Sequence, residues 1–381
     1  MGVRAEALQI LKDNRGLATI IAEKAGYSTS GAFNKILKRN NFQTENFDGF
    51  VIGMKLIYPD NFLVKMEELV EECNPQNLTS RCMLEYLSVN RLTEGFLKLI
   101  NKMENCNNAE SREWSKFYKF IYENQTSEKL DYNDFLKRVE DEKTSVDELI
   151  ILQNLLKIYS YHQKKTYKSI KDIVEETEIA IDKLENEFIK KSYLARLSEP
   201  LAYISLWVNS DEESCRKYAN NVLNSEMGLG YKGSAYYQIG YSYMFSSYEK
   251  AISYLNKSMD IYTSLGRAAV VEDIEEKIEL ITIHWNKNNF SECRYIQNQL
   301  YLETKRNSTE NLVSLRDQID EPFYYYLLGL KNGYNEMALL KSMVKYLKRG
   351  DSFLANLPKS VLLKNDYDEE FLMDLVSLKI A

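Results

Sequence analysis

The sequence predicts an all-α protein, in which an N-terminal helix-turn-helix domain is followed by a right-handed tetratricopeptide-like α-superhelix. Three features support this prediction: few residues that break helices, apolar residues at helical spacing through most of the chain, and one segment with the pattern of a helical repeat. The 381 residues include 5 prolines and 15 glycines. So few breakers favour long helices joined by short turns over a protein of many strands.

Charge is unevenly distributed along the chain. Residues 1–40 contain seven lysines or arginines and three acidic residues, a net charge of +4, whereas the whole chain carries −7. The remaining residues therefore carry −11. An acidic protein repels nucleic acid unless one basic element concentrates the attraction, and the first forty residues are that element.

Residues 16–39 predict two helices joined by a tight turn. Gly26 suits the left-handed conformation that ends many helices. Ser28 or Thr29 can then cap a second helix by accepting a hydrogen bond from its free N–H groups. Before the turn, four apolar residues at helical spacing would form one face of the first helix: Leu17, Ile20, Ile21 and Ala25.

In the second helix, Phe33, Ile36 and Leu37 are predicted to face inward. A helix-turn-helix places such a helix in the major groove, where Asn34 can pair with an adenine edge and basic side chains contact phosphates. An ordinary helical hairpin with a solvated basic face would have the same pattern. The predicted DNA-binding residues are Ser28, Thr29, Ser30, Asn34, Lys35, Lys38 and Arg39.

The N-terminal domain is predicted to end near Pro59. An apolar-periodic stretch over residues 47–58 would supply its fourth helix, which Pro59 blocks from continuing, and Asp60 or Asn61 can cap the next one. We therefore expect three parts: residues 1–60 as a helix-turn-helix DNA-binding domain, residues 61–360 as a repeat superhelix with a peptide groove, and residues 361–381 as a C-terminal capping or dimerisation helix.

Beyond residue 61, helical segments are separated by short polar breaks, an arrangement typical of stacked helical hairpins. One segment, residues 235–258, has the tetratricopeptide signature, with small Gly240 and Ala251 where two helices would cross closely. Residues 324–329 repeat its first half. The predicted breaks lie near residues 74–75, 105–109, 124–129, 141–144, 209–212, 228–233 and 286–289.

The first helix of each such hairpin would line a concave groove. In the segment 235–258 these side chains are Tyr237, Tyr241, Met244 and Phe245. Aromatic side chains suit an extended peptide because they offer contact area and hydrogen bonds at low entropic cost. Packing between neighbouring repeats is the alternative role for the same residues.

The sequence contains no pattern typical of an enzyme. The two histidines, His162 and His284, lie far apart without a ligand pattern, and no glycine-rich phosphate loop is present. We therefore predict no catalytic residue, no metal and no cofactor. Five scattered cysteines indicate free thiols in a reducing compartment, and no apolar run approaches the roughly 18 residues of a membrane span, so a cytoplasmic protein is expected.

Several short motifs, taken in order, resemble the AimR family of arbitrium receptors from temperate Bacillus phages. The resemblance runs essentially from end to end, and each motif is weak alone, whereas their order and spacing are distinctive. The motifs are Tyr58-Pro59-Asp60, Leu201–Tyr203, Gly240–Phe245, Trp285–Asn288, Phe323–Tyr326 and Lys348–Phe353.

The resemblance implies a homodimer that binds double-stranded operator DNA and activates a gene promoting lysis. A secreted hexapeptide, imported into the host bacterial cytoplasm, would bind the repeat groove and shut that activity off, favouring lysogeny. Asp351 stands where the family has an acidic residue facing the peptide, and it suits an arginine or an amino terminus. Relatives can carry asparagine at the position of Tyr241, which implies a different peptide preference. The expected peptide-binding residues are Asn209, Tyr237, Tyr241, Phe245, Tyr326 and Asp351.

The C-terminal stretch is apolar at helical spacing and is expected to form much of the dimer contact, although it could also cap the last repeat. A second function stays open at this point: a repeat scaffold that binds and inhibits a partner protein without binding DNA. The expected dimerisation residues are Leu372, Leu375, Val376, Leu378 and Ile380.

Overall fold

The computed structural model of the protein describes residues 2–287, 292–306, 312, 314–331 and 333–377. Within these residues all regular secondary structure is helical, which confirms the predicted all-α class. The chain divides into two compact units. Unit 1 comprises the described residues of Met1–Leu197 and Ser225–Gly228, and unit 2 those of Ser198–Asn224 and Leu229–Ala381.

Unit 1 begins with the four helices that the sequence predicts. They enclose a core of phenylalanine rings, in which Phe50 lies 5.8 Å from Phe33 and 4.9 Å from Phe42 between ring centroids. Gly53 lets the fourth helix approach this core, since a Cβ atom there would clash with the Phe33 ring. The helices are α1 (Val3–Asp13), α2 (Arg15–Lys24), α3 (Ser30–Lys38) and α4 (Phe47–Ile57).

Two side chains fix these helices to one another. The Asn46 side chain accepts a hydrogen bond from the Gly49 N–H at 2.8 Å, which caps α4, and donates to the Ala25 carbonyl at 3.1 Å. It thereby joins the start of α4 to the end of α2. The Tyr58 hydroxyl donates to the Val3 carbonyl at 3.1 Å, which ties the residue after α4 to the start of α1.

The remainder of unit 1 packs directly on these four helices. The Thr44 N–H donates to the buried Thr79 hydroxyl at 2.8 Å, and the Phe47 and Phe188 rings lie 4.7 Å apart. The further helices are α5 (Phe62–Glu68), a 3₁₀ turn (Leu69–Glu72), α6 (Leu78–Val89), α7 (Thr93–Glu104), α8 (Ala109–Thr126), α9 (Tyr132–Asp141), α10 (Asp147–Gln163), α11 (Tyr167–Asp182) and α12 (Glu187–Tyr203), whose last residues belong to unit 2.

Unit 2 continues with a short π-helix, Ile204–Val208, directly after α12. Pro200 lies inside α12, four residues before this wider turn. The other elements of unit 2 are α13 (Glu212–Asn224), α14 (Leu229–Ser242), α15 (Tyr248–Ser264), α16 (Ala268–His284), α17 (Ile296–Lys305), a 3₁₀ turn (Arg316–Gln318), α18 (Glu321–Leu330), α19 (Glu336–Lys348), α20 (Asn356–Lys364) and α21 (Glu369–Ser377).

The hairpin of α14 and α15 has the close crossing that its signature predicts. A Cβ atom at Gly240 would lie 2.9 Å from the Leu255 nitrogen and 3.1 Å from the Ala251 carbonyl oxygen. The buried Ser258 hydroxyl on α15 donates to the Gly233 carbonyl of α14 at 2.8 Å. The break predicted near residues 228–233 lies slightly earlier, at residues 225–228, because α14 begins at Leu229 and includes Gly233, against which the Tyr262 ring packs.

The hairpin of α18 and α19 repeats this construction. The Ser342 hydroxyl on α19 donates to the Pro322 carbonyl of α18 at 2.7 Å. Gly329 faces the Leu339 side chain so closely that a Cβ atom would clash with it. A small residue on the first helix and a serine bridge from the second thus recur in both hairpins, as expected of related repeats.

Candidate functional site

The turn between α2 and α3 has the predicted helix-turn-helix form. Gly26 adopts a φ of +69°, the left-handed conformation, and the next residue, Tyr27, donates its N–H to the Ala22 carbonyl at 2.9 Å. Thr29 then takes the cap position of α3 in an extended conformation, without a side-chain capping bond. The first N–H groups of α3 are therefore not covered by a cap from this threonine, and an anion suits such a helix start.

The two faces of α3 differ in burial as the sequence predicts. Phe33, Ile36 and Leu37 are buried against the other N-terminal helices. The opposite face is polar and basic. Six of the seven predicted DNA-binding residues are exposed there: Ser28, Thr29, Ser30, Lys35, Lys38 and Arg39.

Asn34 differs from those six. Its side chain is partly buried, and its Oδ1 atom is covered without a hydrogen-bond partner among the described residues. In this conformation the amide oxygen does not face solvent. An adenine contact, which needs both the amide oxygen and nitrogen, requires the Asn34 side chain to rotate.

Arg4, a basic residue of α1, contacts the C-terminal end of α3. The Arg4 guanidinium donates to the Arg39 carbonyl at 2.7 Å and forms an ion pair with Glu72 at 2.8 Å. The Arg39 guanidinium itself donates to the Gln43 carbonyl at 2.8 Å and stays exposed. The position of the basic end of α3 is thereby defined by contacts from the first turn of α1.

One part of the predicted first helix was wrong. Ile20 was expected on the apolar face of α2, yet its side chain is 44% exposed. The buried face instead consists of Ala18, Ile21, Ala22 and Ala25. Small alanines let α2 approach its neighbours closely, so the packed face turns away from Ile20.

In unit 2, Tyr237 and Tyr241 of α14 are part of a stack of aromatic rings. Tyr241 lies between two rings: Trp207, with centroids 4.8 Å apart, and Tyr237, at 5.9 Å. Phe353 approaches Tyr241 at 5.6 Å and Phe245 at 5.1 Å. Tyr237, Tyr241 and Phe245 are therefore brought together, with Tyr241 fully buried beneath the other rings.

Asp351 lies beside this ring stack, two residues before Phe353. Its Oδ1 accepts from the Leu354 N–H at 3.0 Å, and its Oδ2 lies 3.4 Å from the Arg349 guanidinium, which also pairs with Asp320 at 2.5 Å. Burial raises the pKa of the Asp351 carboxyl, although the bonds from Leu354 and Arg349 oppose the shift. Asp351 is a largely buried carboxylate whose neighbouring cation is shared with another acid, which suits it to accept a cation from a ligand.

The two remaining predicted peptide contacts are placed differently. Asn209 is exposed at the end of the π-helix, where its N–H donates to the Ile204 carbonyl at 3.1 Å. Tyr326 is 2% exposed, and its hydroxyl lies 3.2 Å from that of Tyr301 in the core. Tyr326 is thus paired in the core between α17 and α18 and is not part of the ring stack around Tyr241.

A family model described as AimR transcriptional regulator-like matches residues 64–364. The chain belongs to this family. The match confirms the family resemblance that the short sequence motifs indicated. It covers the helices from α6 to α20 and begins after the helix-turn-helix. Because the AimR family is one of transcriptional regulators, the prediction that the chain is not an enzyme is also confirmed.

Relatives and solved structures agree with this assignment. The AimR transcriptional regulator of Bacillus phage phi3T is 25% identical over 382 residues, which cover 96% of this chain and 98% of that protein. That of Bacillus phage SPbeta is 23% identical over 384 residues, covering 97% and 98%. The solved structure of SeMet-phAimR has a TM-score of 0.79 at 23% identity and covers 98% of this chain and 100% of that one. The structure of phAimR-Ligand has a TM-score of 0.64 at 23% identity, with coverages of 84% and 98%.

Sequence reasoning missed Trp207, the ring that covers Tyr241. The π-helix that carries it has no regular helical period, so spacing could not assign it a face. A further omission is a cavity of about 640 Å³ in unit 1, beside α10 and α11. Acidic and apolar side chains line it, including Asp172, Glu175 and the exposed Ile179.

The C-terminal helix α21 is amphipathic. Leu372 is fully buried in unit 2, and Leu375 and Val376 are partly buried against the same core. Phe371 and Met373 are 46% and 53% exposed. Two of the expected dimerisation residues, Leu378 and Ile380, lie outside the described residues.

The part of the chain that the structure describes contains neither a cluster of metal ligands nor a helix that could span a membrane. No group of three or more His, Cys, Asp or Glu residues there could hold a metal ion. No helix there is long and apolar enough to cross a bilayer. The five cysteines are free thiols.

Proposed function

We propose that this AimR-family protein is a homodimeric DNA-binding regulator that a short imported peptide switches off, and that it controls the choice between lysis and lysogeny. Residues 1–60 would bind operator DNA, residues 61–360 would hold the peptide groove, and residues 361–381 would contribute to the dimer. The observation that carries the DNA-binding part is the exposed basic face of α3, which stands on a buried apolar face.

DNA binding is supported by the chemistry of α3. Short side chains at its start, Ser28, Thr29 and Ser30, leave room for the duplex to approach the helix N-terminus. Lys35, Lys38 and Arg39 supply exposed positive charge for phosphates. Asn34 would read a base after its side chain rotates. Because the rest of the chain is acidic, this face is the natural contact for a polyanion.

Peptide binding is supported by the arrangement in unit 2. Tyr237 and Phe245 supply partly exposed aromatic surface next to the buried Tyr241, and Asp351 supplies a carboxylate beside it. An apolar surface with one buried carboxylate suits a short peptide with one cationic group. Asn209 is an exposed polar residue that could bond to the peptide backbone. Tyr326 is buried and bonded to Tyr301, so its contribution to peptide binding would be indirect, through the packing of α17 and α18.

The switch is a linkage between two ligands. A peptide that lowers the affinity of the protein for DNA must itself bind more weakly to the DNA-bound protein, by the same factor. A change in the spacing of the two DNA-binding domains of a dimer would have this effect, because both half-sites then no longer fit.

Fluorescence anisotropy with DNA from beside the gene tests the proposal. The peptide is the synthetic hexapeptide that matches the C-terminus of the neighbouring small open reading frame. We expect wild-type protein to bind DNA tighter than the roughly micromolar nonspecific level, and the peptide to weaken that binding. The double substitution Lys38→Glu/Arg39→Glu should abolish DNA binding and preserve peptide binding. The control Lys137→Glu/Lys143→Glu makes the same charge change at exposed residues outside α3 and should leave both intact.

A second arm tests the peptide site. Asp351→Asn keeps an oxygen for the Leu354 N–H and removes the charge, so it should bind DNA normally and lose most of its response to the peptide. The matched substitution Asp260→Asn, at an exposed position of α15, should change neither. Equal losses in the two variants would argue against a specific role of Asp351.

A scaffold that binds a partner protein remains the second candidate function, and the cavity in unit 1 favours it. Its carboxylates and exposed isoleucines, Ile150 and Ile179, suit a partner segment with basic and apolar residues. If wild-type protein binds no DNA beyond the nonspecific level, this function becomes the better account of the chain.

A further inference from the structure

Trp207 covers Tyr241 in unit 2. The two rings stack at 4.8 Å with an angle of 22° between their planes, and Trp207 also stacks on Tyr203 at 5.8 Å. Phe353 closes the side of the stack, 6.0 Å from Trp207 and 5.6 Å from Tyr241. Tyr241 is 0% exposed as a result. A ligand that reaches Tyr241 therefore has to displace part of this aromatic cover.

Two hydrogen-bond donors in the stack have no acceptor. The Tyr241 hydroxyl and the Trp207 Nε1 are both buried, and no described residue accepts from either. Buried polar groups in native proteins are rarely left without a partner, because the lost hydrogen bonds to water are not replaced. The ring stack thus holds two buried donors whose bonding capacity a ligand could use once the rings move apart.

The charges around Tyr241 restrict what that acceptor can be. Burial raises the pKa of the Tyr241 hydroxyl well above its ordinary value, and the carboxylates of Asp351, Asp273 and Glu276 raise it further. The hydroxyl therefore stays protonated and donates. Asp351 pairs with Arg349, and Asp273 and Glu276 share Lys277. Three carboxylates against two cations still disfavour an anion, so an acceptor placed here is favoured if it is neutral, as a peptide carbonyl is.

The Trp207 indole can move without its backbone. The Trp207 carbonyl accepts hydrogen bonds from the Ser352 N–H at 2.7 Å and the Phe353 N–H at 3.4 Å, which anchors the π-helix to the segment after Asp351. Its side chain makes ring contacts but has no hydrogen bond from its Nε1. A rotamer change would uncover the face of Tyr241 on which Trp207 stacks and leave the anchored backbone in place.

We propose that Trp207 is the cover of the peptide groove, and that the ligand displaces it by placing a neutral backbone carbonyl against the Tyr241 hydroxyl. This inference rests on the proposed peptide site and adds its recognition chemistry. Trp207 and Tyr241 then determine specificity for a carbonyl held next to the cation that Asp351 binds. A ligand that offers the cation without a correctly placed carbonyl leaves the cover closed.

Calorimetric titration with the synthetic hexapeptide described above tests the acceptor. Tyr241→Phe removes one oxygen and keeps the ring stack, so peptide affinity should fall about tenfold. The melting temperature should stay equal or rise, because an unbonded buried hydroxyl is lost. The control Tyr243→Phe removes a hydroxyl from a tyrosine whose ring stacks on Tyr254 instead, and it should leave peptide affinity unchanged.

The amidated form of the same hexapeptide distinguishes a carbonyl from a terminal carboxylate. If a neutral carbonyl is the acceptor, the tenfold effect of Tyr241→Phe persists with the amide. Its disappearance would assign the acceptor to the carboxylate and overturn the proposal. An affinity that Tyr241→Phe leaves unchanged would overturn it as well. If the wild-type protein does not bind the peptide at all, the proposed function itself fails. If it binds the peptide but Tyr241→Phe has no effect, only the present inference fails.

Tryptophan fluorescence tests the movement of the cover. The chain has three tryptophans, at positions 114, 207 and 285. Saturating hexapeptide should change the emission of the wild-type protein, and most of this change should vanish in Trp207→Phe. It should persist in Trp114→Phe, since that indole is buried in unit 1. An emission change that is the same in wild type and Trp207→Phe would show that the indole stays in place.

Discussion

At the scale of single residues, the least expected feature is a buried ion pair in unit 1. Glu85 is 0% exposed, and Arg196 binds it through Nε at 2.7 Å and Nη2 at 3.0 Å. Tyr118 and Ser192 donate to the same carboxylate, and Arg196 donates further to the Ser88 hydroxyl at 2.6 Å. Because both carboxylate oxygens are bonded, the pair can persist without water.

Removing one member of this pair should destabilise the protein strongly. Arg196→Met leaves the Glu85 charge buried without its cation, which is expected to lower the free energy of unfolding by about 3–5 kcal/mol. Urea denaturation measures the change. The double substitution Glu85→Leu/Arg196→Met removes both charges and should recover most of the loss.

An exposed ion pair provides the control for that measurement. Lys119 and Glu104 contact each other with side chains that are 46% and 45% exposed. Lys119→Met should therefore change the free energy of unfolding by less than about 1 kcal/mol. Similar losses for Arg196→Met and Lys119→Met would contradict a special role of the buried pair.

At the scale of elements, the α14–α15 hairpin offers two glycines on one helix with opposite surroundings. Gly240 lies at the crossing, where a Cβ atom would be 2.9 Å from the Leu255 nitrogen. Gly230 has no atom within 4 Å of the corresponding position. The first glycine is required by packing, whereas the second occupies open space in the first turn of α14.

Alanine at these two positions should have effects of opposite sign. Gly240→Ala forces α14 and α15 apart and should destabilise the protein by about 1–3 kcal/mol. Gly230→Ala adds helix propensity without a clash and should be neutral or stabilise by up to about 1 kcal/mol. Thermal unfolding of both variants checks this. If Gly240→Ala were as stable as the wild-type protein, the two helices of the hairpin could move apart without a loss of stability.

At the scale of the whole molecule, the proposed dimer would use the apolar side chains of α21 that flank its buried face. Leu372 is fully buried in its own unit, so its loss would affect folding first. Phe371 and Met373 are exposed on the same helix and offer apolar surface to a second copy. Single exposed apolar side chains are common on protein surfaces, so the dimer contact would need these two residues to be part of a continuous apolar patch.

A charge at one of these flanking positions should weaken the dimer without unfolding the chain. Met373→Lys is expected to raise the dimer dissociation constant at least about tenfold, and to lower the affinity for an operator with two half-sites accordingly. Sedimentation velocity gives the first value and anisotropy the second. Leu265→Lys, at a 40% exposed position after α15, is the control and should alter neither. An unchanged dimer in Met373→Lys would place the contact elsewhere.

What the sequence determined by itself is local. Periodicity predicted the buried face of α3, and Gly26 predicted the turn before it. The tetratricopeptide signature predicted the close helix crossing at Gly240. Each of these features depends on residues only a few positions apart. Order and spacing of short motifs determined the family.

The tertiary structure decided which surfaces meet. Ile20 fits a helical period yet is exposed, because α2 packs through its alanines instead. Tyr326 pairs with Tyr301 between α17 and α18, and Trp207 covers Tyr241 from a π-helix that periodicity does not describe. The Glu85–Arg196 pair joins residues 111 positions apart. Contacts of this range depend on how whole helices pack, and helical spacing carries no information about which partner a given face will meet.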